Sequence, residues 1–333
     1  MVNLKINGIP VQVEERTTIL NAAKKVNIKI PTLCNSPDYP SWSSCGICVV
    51  RIGDEMVKAC TTVVGANLAG KDIITHDAGI IATRRMILEN ILSNHPNDCL
   101  QCLRNRNCEL QSLAADFGIR ESYFRKVMRG VPVDSSNQFF VIDRNKCIFC
   151  GRCEIACNTL QCVGVGPMFG TKEPDCVSCG NCVSRCPTGA LSPKKGASYA
   201  DAKKVLTTCS YCGVGCQMYL MVRENKIIGV EPANGKSNKG MLCVKGKFAY
   251  DFVGHKDRLT QPLIKKDGKF VEVDWEEAYS LIAKKITETK QKHGADAIAG
   301  FSSARVTNEE NYAFQKFMRA AVGTNNVDHC ARL

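Results

Sequence analysis

Apolar and polar positions alternate from the first residues of the chain. Val2, Leu4 and Ile6 share one side of a strand over 2–6, Val11 and Val13 share one side of another, and Asn7-Gly8-Ile9-Pro10 between them is a hairpin signal. From Thr18 to Val26 the period changes: Ile19, Ala22, Ala23 and Val26 fall on one helical face. Cys48–Ile52 and Met56–Thr62 return to strand spacing around Gly53-Asp54-Glu55, a second hairpin. Residues 79–93 have helical periodicity and stop before His95-Pro96, because a proline disfavours helical geometry in the residue before it. Glu109–Phe117 reads as a short second helix. Residues 119–137 are polar without a strong period and read as a connection. Phe139 to about Leu191 breaks into short elements and cysteine loops, and Ser192–Tyr199 has the composition of a linker.

Beyond about residue 205 the pattern changes again. Val205–Thr208, Met218–Val222 and Lys226–Val230 are strand-like, and Asp274 is a helix N-cap for 275–292, with Glu276 and Glu277 in the first turn. Ala295–Phe301 reads as a strand, and Thr307-Asn-Glu-Glu310 is a capping box opening a helix to about Val322. That is a strand and a helix with no following strand. A parallel sheet needs that strand, so the pattern expects the chain to stop inside a domain.

Length and composition narrow the class. A chain of 333 residues suggests about two to four domains. It contains 21 cysteines, but disulfide-dense proteins are usually short and secreted. The N-terminus enters its first strand without a signal-peptide pattern, and no apolar run reaches the roughly 18 residues of a membrane span. The expectation is a cytoplasmic chain without a transmembrane segment, using its thiols as metal ligands. The formal net charge of +12 first suggests nucleic acid or an anionic surface as partner.

The cysteines fall into four constellations. Cys147-x2-Cys150-x2-Cys153-x3-Cys157 recurs as Cys176-x2-Cys179-x2-Cys182-x3-Cys186-Pro187. Two-residue gaps let three thiolates converge on one face of a cubane. A second set is Cys34-x10-Cys45-x2-Cys48-x11-Cys60, inside the β-rich N-terminal module. Its first gap is longer than the four residues of the plant-type [2Fe–2S] pattern. A third is His95-x3-Cys99-x2-Cys102-x5-Cys108, which supplies four ligands. The fourth is Cys209-x2-Cys212-x3-Cys216 with Cys243, followed by Val244-Lys245-Gly246-Lys247. Zinc is the alternative ligand-set reading for each, and Lys245 alone could be a solvated surface charge. Only Cys162 and Cys330 remain unassigned, and both read as buried small hydrophobes.

The repeated run resembles a bacterial two-cluster ferredoxin, in which the fourth cysteine of each run crosses to the other cluster. The resemblance assigns one [4Fe–4S] cluster to Cys147, Cys150, Cys153 and Cys186, and another to Cys157, Cys176, Cys179 and Cys182. Asn158 stands where the first run would carry proline. The Cys34–Cys60 set resembles the [2Fe–2S] domain of complex I's large iron–sulfur subunit and of iron-only hydrogenases, implying a β-grasp fold. His95, Cys99, Cys102 and Cys108 resemble the His-ligated [4Fe–4S] cluster that follows it in those families. Cys209, Cys212, Cys216 and Cys243 resemble the N-terminal [4Fe–4S] domain of enzymes carrying two pyranopterin guanine dinucleotides, where Lys245 matches a lysine bridging cluster and pterin.

The order of all modules resembles the catalytic subunit of soluble molybdenum or tungsten formate dehydrogenases. The fold implied is an α+β multidomain iron–sulfur protein. It comprises a [2Fe–2S] domain over 1–78, a His-ligated cluster domain over 79–118 and a two-cluster ferredoxin domain over 138–192. A [4Fe–4S] domain over 205–260 and the start of an α/β molybdopterin domain over 261–333 follow. The cofactors implied are one [2Fe–2S] cluster, four [4Fe–4S] clusters and, in the full-length parent, a Mo- or W-bis(pyranopterin guanine dinucleotide). Formate and carbon dioxide would interconvert at that metal. Electrons would reach the Cys209–Cys243 cluster across Lys245 and leave through the N-terminal clusters to a flavin/NAD(P)-reducing or hydrogenase partner subunit.

Asn325–Leu333 resembles the stretch just before the metal-ligating cysteine or selenocysteine, so the resemblance expects truncation one residue short of that ligand, as a selenocysteine codon read as stop would produce. No catalytic residue would then lie within 1–333. The alternative is a non-catalytic electron-transfer subunit of a hydrogenase or NADH dehydrogenase-type complex. Loaded clusters also change the charge: at about −2 for a four-thiolate cluster and about −1 with a histidine ligand, they bring the chain to about +3. Most excess Lys and Arg then reads as counter-charge, and a nucleic-acid partner is not expected.

Overall fold

The computed structural model describes residues 1–36, 43–161 and 176–330. They form two compact units, Met1–Ala202 and Lys203–Leu333.

The first unit begins with a five-stranded sheet. Strands β1 (Val2–Ile6) and β2 (Ile9–Val13) pair antiparallel in the register Val2 to Val13. Their turn is the dipeptide Asn7-Gly8, both at positive φ (51° and 79°), which matches strand twist. Helix α1 (Ile19–Lys25) is capped by the Thr18 hydroxyl, which accepts from Asn21 N at 3.3 Å. Strands β3 (Val49–Ile52) and β4 (Glu55–Lys58) form the second hairpin, shorter than the sequence pattern suggests. The third element of pairing, β5 (Asp72–Ile74), runs parallel to β1 and antiparallel to β3, giving the order β2-β1-β5-β3-β4. Leu4, Ile6, Val11, Val13, Ile73 and the inner face of α1 close the core, which also takes in Cys48 and Cys60.

Helix α2 (Ala78–Ser93) is capped by Asp77, whose carboxylate accepts from Ile80 N at 2.9 Å. Helix α3 (Glu109–Asp116) ends where Gly118 turns left-handed at φ 64°. Gly118 N donates to Ala115 O and Ile119 N to Ala114 O, the paired bonds of a Schellman end. Ile119 therefore folds back instead of starting a loose connection. It joins a second core with Leu33, Ile47, Leu88 and Leu110, against which Cys45, Cys108 and Ile148 pack. This core draws three cysteine loops onto one hydrophobic centre.

Strand β6 (Phe140–Ile142) pairs antiparallel with β7 (Leu191–Pro193), on either side of the two cysteine runs in sequence. Between them lie helices α4 (Arg152–Gln161) and α5 (Asn181–Arg185). The expected linker 192–199 is corrected here. Ser192 is buried in β7, and Ser198 Oγ donates to Asn105 O at 3.1 Å, so burial and hydrogen bonding override a loop-like composition.

The second unit opens with a three-stranded antiparallel meander: β8 (Lys203–Thr208), β9 (Gln217–Arg223) and β10 (Lys226–Pro232). Helix α6 (Val244–Phe248) packs on β10. A hairpin of β11 (Leu263–Lys266) and β12 (Lys269–Glu272) precedes α7 (Trp275–His293), capped by Asp274 as its sequence predicts. The expected strand over 295–301 is corrected: Ala295–Ala297 form a helical turn, and β13 spans Gly300–Ser302. Helix α8 (Asn308–Phe317) shows both bonds of the Thr307/Glu310 capping box and runs on as a π-type turn to Val322. The strand thought missing is present: β14 (Val327–His329) pairs parallel with β13, from Gly300 with Val327 to Ser302 with His329. At three residues it is too short to register as a hydrophobic period. Phe301, Tyr312, Trp275 and Tyr279 remain exposed on this unit.

Candidate metal centres

The thiols of the N-terminal set meet one another. Cys34 and Cys45 share a hydrogen bond, as do Cys48 and Cys60, and the Cys34 charge acts on Cys48. The hydrogen bond from Cys60 lowers Cys48 to about 7, whereas the bond with Cys34 and then burial push Cys45 up. Such a spread is what closely held thiols show when they share hydrogen bonds and are withdrawn from water. Arg84 from α2, only 4% exposed, donates through Nη2 to Val49 O at 2.7 Å and faces Cys48.

His95 ends the helix α2 segment, its N–H bonded to Leu92 O. Its Nδ1 accepts from Asn97 N at 3.5 Å, while its Nε2 is buried without a hydrogen-bond partner. Burial lowers its pKa and favours the neutral ring, the form that ligates a metal. Cys102 acts electrostatically on both Cys99 and Cys108, whose thiols are raised chiefly by burial. An orphaned imidazole nitrogen, and thiols of which Cys102 acts on both others, are donors of the kind a His/Cys3 cluster takes.

The repeat in sequence is a repeat in backbone. Phe149 and Gly151 take φ 54° and 70° in the first run, and Ser178 and Gly180 take φ 52° and 74° in the second. These left-handed residues turn amides toward the thiols, and Phe149 N lies 3.3 Å from Cys147 Sγ. Cys147, Cys150, Cys153 and Cys186 line one shared cavity with Pro187 and Thr188. Burial pushes Cys150 up to about 12 and raises Cys153 further, with the Cys186 charge adding to both. Cys182 is raised by burial and by Cys179, Cys157 and Cys176. Cys186 of the second run thus lines a cavity with three cysteines of the first, and Cys157 of the first acts on Cys182 of the second, whose charge also reaches Cys153.

In the second unit Cys209 and Cys216 are each raised by burial first, then by the other cysteines of their set, including Cys212 and Cys243. Cys209 N donates to Cys216 O at 2.8 Å and closes the loop. Cys243 caps α6, and a Cβ on Gly246 would lie 3.6 Å from Cys209 Sγ. Lys245 lines a cavity of about 180 Å³ with Ser210, Tyr211 and Tyr250, next to this set. Lys247 is buried instead, its Nζ donating to Val230 O at 2.7 Å. Asn308 Nδ2 donates to Gly213 O at 2.7 Å, tying the start of α8 to the same cysteine loop.

Of the two leftover cysteines, Cys162 lies outside the described residues. Cys330 is exposed, not buried: it follows the short β14, and its Sγ sits 3.6 Å from Ser303 Oγ at the carboxyl end of β13. Among the described residues, no three His, Cys, Asp or Glu donors close as tightly as a single metal ion requires.

Sequence spacing did not reveal the cations around these sets. Lys146 pairs with Asp98 at 2.9 Å and Asp143 at 3.6 Å. Arg129 donates to the carbonyls of Arg144 and Cys147 and lies 4.5 Å above the Phe149 ring. Arg104 donates to Cys186 O at 3.1 Å. These cations lie against the cysteine loops, bonded to loop carbonyls or to neighbouring carboxylates.

Comparison with known proteins agrees with this order of sites. Residues 1–69 match a 2Fe-2S iron–sulfur cluster binding domain, and 84–123 match the NADH-ubiquinone oxidoreductase-G iron–sulfur binding region. Residues 173–192 match a 4Fe-4S binding domain, 202–255 a molybdopterin oxidoreductase Fe4S4 domain, and 258–333 a molybdopterin oxidoreductase. The segments matched are thus iron–sulfur cluster binding domains followed by two molybdopterin-oxidoreductase segments.

Among individual relatives, the alpha subunit of an NADPH-Fe(3+) oxidoreductase from Geobacter sulfurreducens is 35% identical over 100% of this chain and 40% of its own length. A Staphylococcus aureus protein provisionally described as a formate dehydrogenase is 29% identical over 98% of this chain and 39% of its own. The chain thus spans about two fifths of these relatives. A crystal structure of NAD+-reducing [NiFe]-hydrogenase shares the fold over 59% of this chain and 88% of its own (TM-score 0.50, 22% identity). No helix among the described residues is long and apolar enough to cross a membrane.

Proposed function

We propose that this chain is the electron-conducting part of a formate dehydrogenase. It would link a Mo- or W-bis(pyranopterin guanine dinucleotide) centre, in the full-length protein, to a flavin/NAD(P)-reducing or hydrogenase partner subunit. The observation that carries the reading is the sequence of five donor sets ending beside Lys245 and its cavity. Cys34, Cys45, Cys48 and Cys60 hold a [2Fe–2S] cluster. His95, Cys99, Cys102 and Cys108 hold a [4Fe–4S] cluster, and the two crossed ferredoxin sets hold two more. Cys209, Cys212, Cys216 and Cys243 hold the last. When bound, the clusters supply one-electron steps and the pterin metal supplies the two-electron exchange of formate with carbon dioxide. The chain's own contribution is to fix the ligands, exclude water and place Arg84, Lys146 and Arg129 as counter-charge.

A second reading follows from the Geobacter relative: the same wiring would serve NADPH-dependent reduction without formate. Dye reduction by the full-length protein in its native complex separates the two. Formate-dependent reduction, with pterin recovered from the protein, supports the dehydrogenase. Reduction with NADPH but not formate supports the second reading.

A further inference from the structure

Arg152 opens α4 between Cys150 and Cys153, and the residue is 9% exposed. Two of its nitrogens bind one carboxylate: Nη1 donates to Glu109 Oε1 at 2.6 Å and Nη2 to Oε2 at 2.8 Å. Glu109 follows Cys108 at the start of α3, and its own N–H donates to Pro187 O at 2.9 Å, beside Cys186. The third face of the guanidinium differs. Its Nε is buried with no hydrogen-bond partner, and the charges it meets besides Glu109 are Cys150 and Cys34. The second core explains how residues so far apart in sequence come together, since Leu33, Cys45, Cys108 and Ile148 pack in it. One cation thus sits where the N-terminal set, the His95 set and the first ferredoxin set converge.

A buried N–H without a partner costs roughly 1–3 kcal/mol, so a site that retains one is a site with an acceptor to offer. Cluster sulfurs are such acceptors, and hydrogen bonds to them and nearby positive charge favour the reduced, more negative state. We propose that Arg152 is a positioning residue of the electron relay. Its Nε–H donates to a sulfur of the cluster held by Cys147, Cys150, Cys153 and Cys186, and its charge raises the midpoint potentials of that cluster and of the Cys34 cluster. The bidentate Glu109 pair fixes the plane of the guanidinium and so its aim. Because Arg stays protonated throughout the working pH range, the effect does not titrate away. The side chain also lessens the repulsion between two neighbouring anionic clusters, so both can be reduced together.

This inference rests on the cluster-ligand assignment made above. The test is an EPR-monitored redox titration of the full chain carrying Arg152→Gln, Arg152→Lys or Glu109→Gln, with iron and sulfide measured on the same samples. Arg152→Gln lowers both midpoint potentials, and Arg152→Lys falls between it and the parent. Glu109→Gln, which strips the countercharge, shifts both upward. Parental potentials in Arg152→Gln at parental iron content overturn the proposal, as do shifts of the same sign in Arg152→Gln and Glu109→Gln. If Arg152→Gln loses iron, Glu109→Gln decides: an upward shift supports the role and an unmoved potential refutes it. A chain with no iron or sulfide removes the ligand assignment itself, whereas intact clusters with unmoved potentials remove only the role of Arg152.

Discussion

Replacing Gly189 by alanine would place a methyl group 2.5 Å from Cys102 Sγ and 3.4 Å from Lys146 Cδ. Heavy-atom contacts of this kind settle at about 3.5–4.0 Å, so the sulfur or the backbone must move by about 1 Å. Gly189 is not at positive φ, so the substitution tests this contact and not backbone strain. Neither neighbour yields easily. Cys102 sits in a tight loop whose N–H bonds Cys99 O at 3.1 Å, and the ammonium of Lys146 is held by Asp98. Overpacking of this kind costs roughly 1–3 kcal/mol. At about 2–4 °C per kcal/mol for a unit of this size, the midpoint of thermal unfolding should fall by roughly 2–12 °C. A ligand pushed by about 1 Å should also loosen one cluster, so about four iron atoms per chain and the EPR signal of the His95 centre are lost first. The assay pairs thermal unfolding with iron analysis and EPR. Gly254→Ala, where nothing lies within 4 Å of the new carbon, is the control. If Gly189→Ala matches the parent in melting, iron and EPR, the Cys102 thiol does not lie against Gly189 and the packing of these two loops is wrong.

Substitutions at three other positions bear on separate sites. Cys186→Ala should abolish the centre whose cavity it shares with Cys147, Cys150 and Cys153, and leave the set around Cys182, as iron analysis and EPR would show. His95→Ala should remove one cluster, whereas His95→Cys should keep it at a lower midpoint potential in a redox titration, because a thiolate adds negative charge. Gly213→Ala would set a methyl 2.2 Å from Asn308 Oδ1, so it should detach the start of α8 from the Cys212 loop. The cost is about 1–3 kcal/mol, read in the melt of the second unit.

Elements with strong local signals were legible. The Asn7-Gly8 hairpin, the Asp274 cap and the Thr307/Glu310 capping box all form where their residue types predict. Short strands were not: β5 and β14 have three residues each, too few for a period, and their pairing comes from partners distant in sequence. The Schellman turn at Gly118-Ile119 was missed because its apolar contact is made with Leu33 and Leu88, far along the chain. Ligand candidates were readable because metal coordination imposes short spacings on one loop. The cations were not, since Arg152 meets Glu109 and Cys34 only after folding, and no spacing rule joins positions 34, 109 and 152. Cys330 misled for a related reason: a lone cysteine carries no period, and its exposure depends on the short strand before it.

The central claim is that the cysteines and His95 hold five iron–sulfur clusters. Anaerobic purification of the chain followed by iron, zinc and acid-labile sulfide analysis tests it most directly, with EPR of the reduced sample alongside. One [2Fe–2S] and four [4Fe–4S] clusters amount to about eighteen iron and about eighteen sulfide per chain. The account predicts values near these with negligible zinc, and both a [2Fe–2S] signal and [4Fe–4S] signals on reduction. About five zinc atoms without sulfide would contradict it, because structural zinc sites use the same ligands with no inorganic sulfur.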